Sequence, residues 1–222
     1  MSISQESGEV KNYQPDLTLE DRIKEWNREA PHWMCGRHFL KTERTEQREA
    51  VECALLDFRL HMVDSGEKIL DLGAAGTTAE YLGKALMPRV VSVDFASTAL
   101  NANPGKFRVI ADVQRILPFK DSSFGWVTMF FLSRYLDDQE ATMQEIYRLL
   151  KPGGRFIAMD FQRNGIELER AEFKPKQLIP SLEKIGFQTR ENRELFPELD
   201  FREEFSFYRG PLHLLAGQKP KE

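Results

Sequence analysis

Cysteine is nearly absent: the 222 residues include only Cys35 and Cys53. Two thiols are too few for a disulfide framework, and their separation rules out a CxxC motif, so reduced cysteines are expected. A surplus of positive charge is missing as well. Thirty-one Lys and Arg stand against 35 Asp and Glu, for a formal charge of −4 and a sequence pI near 5.7. That balance removes the broad attraction that dominates binding to phosphate backbones, which argues against nucleic acid as a partner. No apolar run reaches the ~20 residues of a bilayer span, so no membrane is expected. The opening MSISQESGEVKNYQPD contains no hydrophobic signal core, and the expected compartment is the cytoplasm. Internal repeats and low-complexity tracts are missing, and so is G-x-G-x-x-G, which counts against a dinucleotide site.

What is present has a globular balance, 41% hydrophobic and 30% charged residues, enough for one well-filled core but short for two. Thr18-Leu19-Glu20-Asp21 resembles a capping box and predicts a short helix to about Glu29, ended by Pro31, with His32–Leu40 as a loop. Ala50, Val51, Ala54, Leu55, Phe58 and Met62 recur at helical spacing and predict a helix over Thr42–Val63. Beyond it the pattern alternates. Strands are expected at Lys68–Leu72, Val90–Asp94, Phe107–Ala111, Trp126–Phe131, Arg155–Phe161 and Phe187–Arg190. Helices are expected near Thr78–Leu86, Ser97–Asn101, Asp138–Leu150 and Pro175–Ile185, with Pro180 placed to kink the last.

Strands separated by helices indicate right-handed crossovers and a mostly parallel sheet covered on both faces. After Phe187 no further helix is evident, so the run Leu212–Ala216 must return antiparallel. The expected fold is α/β: a doubly wound, mostly parallel seven-stranded sheet with an antiparallel last strand and helices on both faces. An N-terminal helical lid over residues 1–40 precedes the domain of residues 41–222.

The first strand runs into a turn of small residues, Gly73-Ala74-Ala75-Gly76, and then a helix. Small side chains let a ligand approach the backbone there, and a helix start presents free N–H donors. The second strand ends on Asp94, whose carboxylate can accept both hydroxyls of a ribose, and the third on Asp112, which can accept from an adenine amino group. Either acid could instead be a helix N-cap. Three consecutive strand ends carrying a glycine turn and two acids point to a nucleoside.

Here the sequence resembles the class I S-adenosylmethionine-dependent methyltransferases, over about Glu67 to Pro220. Asp71-Leu72-Gly73-Ala74-Ala75-Gly76 is similar to that family's first motif, with Ala75 and Thr77 where it carries glycine. Val93-Asp94-Phe95 is similar to its ribose motif and Ala111-Asp112-Val113 to its adenine motif. Glu145-Ile146-Tyr147-Arg148-Leu149-Leu150-Lys151-Pro152-Gly153-Gly154-Arg155-Phe156 is similar to its helix, turn and fifth strand. The resemblance implies S-adenosylmethionine as cofactor, held by Asp71, Gly73, Ala74, Ala75, Gly76, Asp94, Phe95, Asp112, Val113 and Phe130.

The implied activity is O- or N-methylation of a small-molecule acceptor, a protein or RNA methyltransferase and a catalytically silent relative being the alternatives. A sulfonium donor is already activated, so transfer needs chiefly an oriented acceptor, and a base only where the acceptor carries a proton. His38, Tyr135 and Arg134 are the candidate catalytic residues. Tyr13, Trp26, Trp33, Met34 and Phe39 could fold over the acceptor as a lid. His32, Cys35 and His38 invite a metal reading but have no evident fourth ligand, and no metal is expected.

Overall fold

A computed structural model describes residues 18–34, 45–74, 81–161, 175–195 and 212–221. Helix α1 spans Leu19–Met34 and α2 Thr45–Ser65. Strand β1 (Ile69–Leu72) follows, then β2 (Val90–Asp94), the short helix α3 (Ser97–Ala102) and β3 (Phe107–Ile110). Next come β4 (Phe124–Phe130), α4 (Gln139–Leu149), β5 (Leu150–Phe161), α5 (Pro175–Ile185), β6 (Gln188–Leu195) and β7 (Leu212–Gln218).

The seven strands form one sheet in the order β3-β2-β1-β4-β5-β7-β6. β7 runs antiparallel to both β5 and β6, and the remaining pairings are parallel. The expected doubly wound fold with its reversed last strand is what the chain adopts. β1, β4 and β7 are buried along their whole length, as mostly apolar strands in a sheet covered on both faces should be. One face packs Ile69, Trp126, Ile157 and Leu214 against Val51, Leu55 and Met62 of α2. The other packs Leu70, Val127, Ala158 and Leu215 against Met143 and Ile146 of α4 and Leu178 and Leu182 of α5. Strand order reverses beside β1, which lies between β2 and β4. That switch point opens a crevice at the carboxyl ends of the strands.

Several boundaries differ from the sequence reading. α1 does not stop at Glu29 but continues through Pro31 to Met34, so His32, Trp33 and Met34 are helical rather than loop. Proline's fixed φ is compatible with a helix, and so near the end its missing N–H deprives only the Asn27 carbonyl. Pro180 likewise stays inside α5, where it is exposed and water can reach the carbonyl left over. The helix expected to reach Leu86 is over by Gly83, whose φ of +83° is left-handed. β5 begins at Leu150, directly from the end of α4, because Leu150 pairs with Phe124 ahead of a bulge between Phe124 and Trp126. β6 extends to Leu195 despite its polar sequence, since an edge strand can leave one side to water.

Candidate active site

The turn after β1 is pinned from three sides. Gly73 has φ +68°, a conformation costly for any side chain, and a Cβ there would meet Leu132 at 3.0 Å. The Gly73 and Ala74 amides both donate to the Val93 carbonyl, at 2.9 and 3.1 Å, which folds the turn against the end of β2. The Ala74 carbonyl accepts from Asn103 Nδ2 at 2.9 Å, and Asn103 Oδ1 accepts from the Gly105 amide. Asp71, buried in β1, accepts from Thr128 Oγ1 of β4 at 2.6 Å. Asn103 and Thr128 carry no motif of their own, and only the folded chain brings them to the turn.

Asp94 closes β2 with its Oδ1 accepting from the Ala96 amide at 2.8 Å. Asp112 follows β3 in the same way, Oδ1 accepting from the Gln114 amide at 3.0 Å, with Arg115 Nε 3.9 Å from its other oxygen. Neither acid is a helix N-cap. The N-cap of α3 is Ala96, which has no capping side chain. Each carboxylate is instead oriented by an amide two residues on, at the carboxyl end of its strand. Val113 is buried in the core beside Leu117.

The N-terminal helix completes the edge. Trp26 of α1 meets Phe95 edge-on, with ring centroids 6.0 Å apart, and Tyr135 at 4.8 Å. It thus bridges the residue after Asp94 and the 3₁₀ turn Ser133–Tyr135 that follows β4. Asn27 Oδ1 accepts from the Thr98 amide at 2.8 Å and from Ser97 Oγ at 3.2 Å, so the first turn of α3 is capped from another helix. Arg22 pairs with Asp137 at 2.8 Å. At the helix start Thr18 Oγ1 accepts from the Asp21 amide, the cap anticipated from sequence.

Between β4 and that turn, Phe131 takes φ +56°, an outlier for a bulky residue, with its amide donating to the Met159 carbonyl at 2.7 Å. Such strain persists only where the surroundings enforce it, and it collects at functional sites. Phe131 stacks on Phe161 at 5.6 Å. Phe130, expected at the cofactor, packs in the core on the α2 face, 5.3 Å from Tyr81. Of the remaining candidates, Tyr135 lies at the site, while Arg134 is placed by its backbone within the same turn. His38, Ala75 and Gly76 lie outside the described residues, as do Cys35 and the lid aromatics Tyr13 and Phe39.

The arrangement fits S-adenosylmethionine: a glycine turn too tight for a Cβ, two oriented carboxylates on successive strand ends, and an aromatic contact from α1 beside them. Residues 70–158 match the methyltransferase domain family. The chain is 34% identical over 131 residues to a demethylmenaquinone methyltransferase of Clavibacter sepedonicus, covering 54% of this chain and 53% of the relative. It is 32% identical over 115 residues to the ubiquinone/menaquinone biosynthesis C-methyltransferase UbiE of Haemophilus ducreyi, covering 46% and 44%. The chain thus spans about half the length of these curated relatives. Its fold is that of the [4+2]-cyclase SpnF, with TM-score 0.68 and 16% identity over 92% of this chain and 97% of that one. Among the described residues no helix is long and apolar enough to cross a membrane. The match over residues 70–158, the sheet and the strand-end motifs support a class I S-adenosylmethionine-dependent methyltransferase domain, with S-adenosylmethionine as its cofactor.

Proposed function

We propose that the protein transfers a methyl group to a small aromatic acceptor bound at the carboxyl edge of the sheet, beneath α1. The observation that carries this reading is Trp26, wedged between Phe95 beside the ribose acid and Tyr135 beside β4. Aromatic edges converging on one place favour a flat apolar ligand. The names of the matched relatives point the same way, to a quinone-type ring methylated at carbon rather than at oxygen or nitrogen.

In this reading the backbone of Gly73 and Ala74 admits the methionine moiety, Asp94 takes the ribose hydroxyls, and Asp112 takes the adenine amino group. The backbone at Val113, next to Asp112, lines the adenine side, its side chain being in the core. Bound S-adenosylmethionine supplies the activated methyl group. The protein's part is orientation and exclusion of water. Tyr135 and Trp26 bound the acceptor, and the turn that carries Arg134 belongs to the same edge. His38 is kept as a candidate base for an acceptor that carries an ionisable hydroxyl.

The test is methyl transfer from labelled S-adenosylmethionine to a panel of hydroxylated naphthoquinols, phenols, amines, protein and RNA, with products located by mass spectrometry and NMR. Label on a ring carbon of a quinol supports the proposal. Label confined to oxygen or nitrogen moves the chemistry to the activity implied by the sequence. Transfer only to protein or RNA overturns the small-molecule reading.

A further inference from the structure

On the α2 face of the sheet a cavity of about 510 Å³ opens between that helix and the last three strands. Three arginines line it: Arg155 from β5 and Arg190 and Arg193 from β6. Arg155 is in register with Trp126. It lies four residues before Met159, which puts the cavity ~13 Å along the strand from the cofactor edge. The Arg155 guanidinium sits 5.6 Å from the Trp126 ring centroid, and among the described residues it has no carboxylate partner. An aromatic face holds a cation in place without neutralising it.

Arg190 is aimed by a different device. Thr189 pairs with Gly217 and Glu191 with Ala216, which makes Arg190 the extra residue of a bulge. Bulges turn side chains out of the regular alternation. Its Nε donates to Gln218 Oε1 at 3.0 Å and its terminal nitrogen to Gln188 Oε1 at 2.5 Å. Both acceptors are neutral amides, so they orient the fork and leave its charge uncompensated. Arg193 differs, being paired with Glu191. Asp57 stands exposed on the α2 wall and forms no ion pair among the described residues, while Phe58 and Ala216 supply apolar surface. The cavity therefore offers two oriented guanidinium groups that form no ion pair among the described residues, with Phe58 and Ala216 beside them, and planar forks of this kind match carboxylate and phosphate oxygens two at a time.

We propose that this cavity is a second ligand site, which takes a small organic oxyanion with its charged groups on Arg155 and Arg190 and its carbon skeleton against Phe58. Calorimetry on the full chain tests it, with S-adenosylhomocysteine saturating so that the cofactor edge is filled. Pyrophosphate and citrate are the probes. Saturable binding of either is expected, pyrophosphate alone marking a phosphate site and citrate alone a carboxylate site. Arg155→Gln and Arg190→Gln should each weaken it about tenfold while leaving S-adenosylmethionine affinity unchanged. Arg190 is exposed, so its variant decides the matter should Arg155→Gln fold poorly. No saturable binding up to about 10 mM, or binding that the folded variants retain in full, overturns the proposal.

Discussion

Asp94 and Asp112 are chemically alike and similarly placed, each oriented by an amide two residues on. Their proposed loads differ. Asp94→Ala removes a charged acceptor from two ribose hydroxyls and is expected to cost about 1.5–3 kcal/mol of cofactor affinity, roughly ten- to hundredfold, in a protein that still folds. Calorimetry checks this, and unchanged affinity would show the ribose site to be misplaced. Asp112→Asn keeps the shape and removes the charge, so a loss of about 1 kcal/mol is expected. A larger effect than that of Asp94→Ala would reverse the ranking. Thr128 makes a third case, because its hydroxyl donates to buried Asp71 beneath the turn. Thr128→Val withdraws that bond at nearly constant volume and is expected to destabilise by about 1–3 kcal/mol in urea denaturation. The placement of both acids at the carboxyl ends of β2 and β3 was legible in the sequence because each follows an extended run with apolar residues. Thr128 and Asn103 were not, since nothing local marks a hydroxyl or an amide that serves a turn 57 or 29 residues away.

α1 carries no cofactor motif, yet its residues reach the edge from which the cofactor is read. Asn27 caps α3, Arg22 pairs with Asp137, and Trp26 spans Phe95 and Tyr135. This distribution of labour predicts a separation of binding from transfer. Trp26→Ala should cut methyl transfer steeply while S-adenosylmethionine affinity stays within roughly tenfold, about 1.4 kcal/mol, because the glycine turn and both acids are untouched. Full transfer activity in the folded variant would place the acceptor elsewhere along the edge. Removal of residues 1–40 should show the same split more strongly. The aromatic content of this segment suggested a lid from sequence alone. The end of α1 was misjudged at Pro31, because a proline near a helix end deprives only one carbonyl of its donor and costs less than one that must interrupt a long helix.

Across the whole molecule, the last residues tie the sheet to α4. Lys219 Nζ donates to the carbonyls of Tyr147 and Leu150 and lies 4.6 Å from the centroid of the Tyr147 ring. Burial pushes its ammonium below the ordinary lysine value of 10.5, with Asp121 opposing the shift. The unfolded chain therefore binds more protons than the folded one between the lowered value and 10.5, and stability from this group rises with pH across that window. Lys219→Met does not titrate there, so its stability relative to the native chain should fall between mildly and strongly alkaline buffer. A flat or rising difference in paired urea denaturations would contradict the desolvation of Lys219. Nearby, Arg148 bonds Glu145 and Asp121 as well as the Phe119 and Leu117 carbonyls. Glu145 foremost, with Asp121, raises its already high pKa, so it remains a cation throughout that titration.

The alternation of apolar runs and helical spacing was sufficient by itself to determine the fold. Buried parallel strands must be apolar along their length, and a closing strand without a crossover helix can only run antiparallel. Local chemistry likewise marked the glycine turn and the two acids, because each is written within a few consecutive residues. Tertiary structure alone decided what depends on residues remote in sequence. It set Trp26 between Phe95 and Tyr135, made Asn27 the cap of a helix 71 residues away, and turned Phe130 into the core. It also collected Arg155 and Arg190 into one cavity. A side chain's direction follows from register, bulge and crossing helix, and none of these is encoded at the residue it aims.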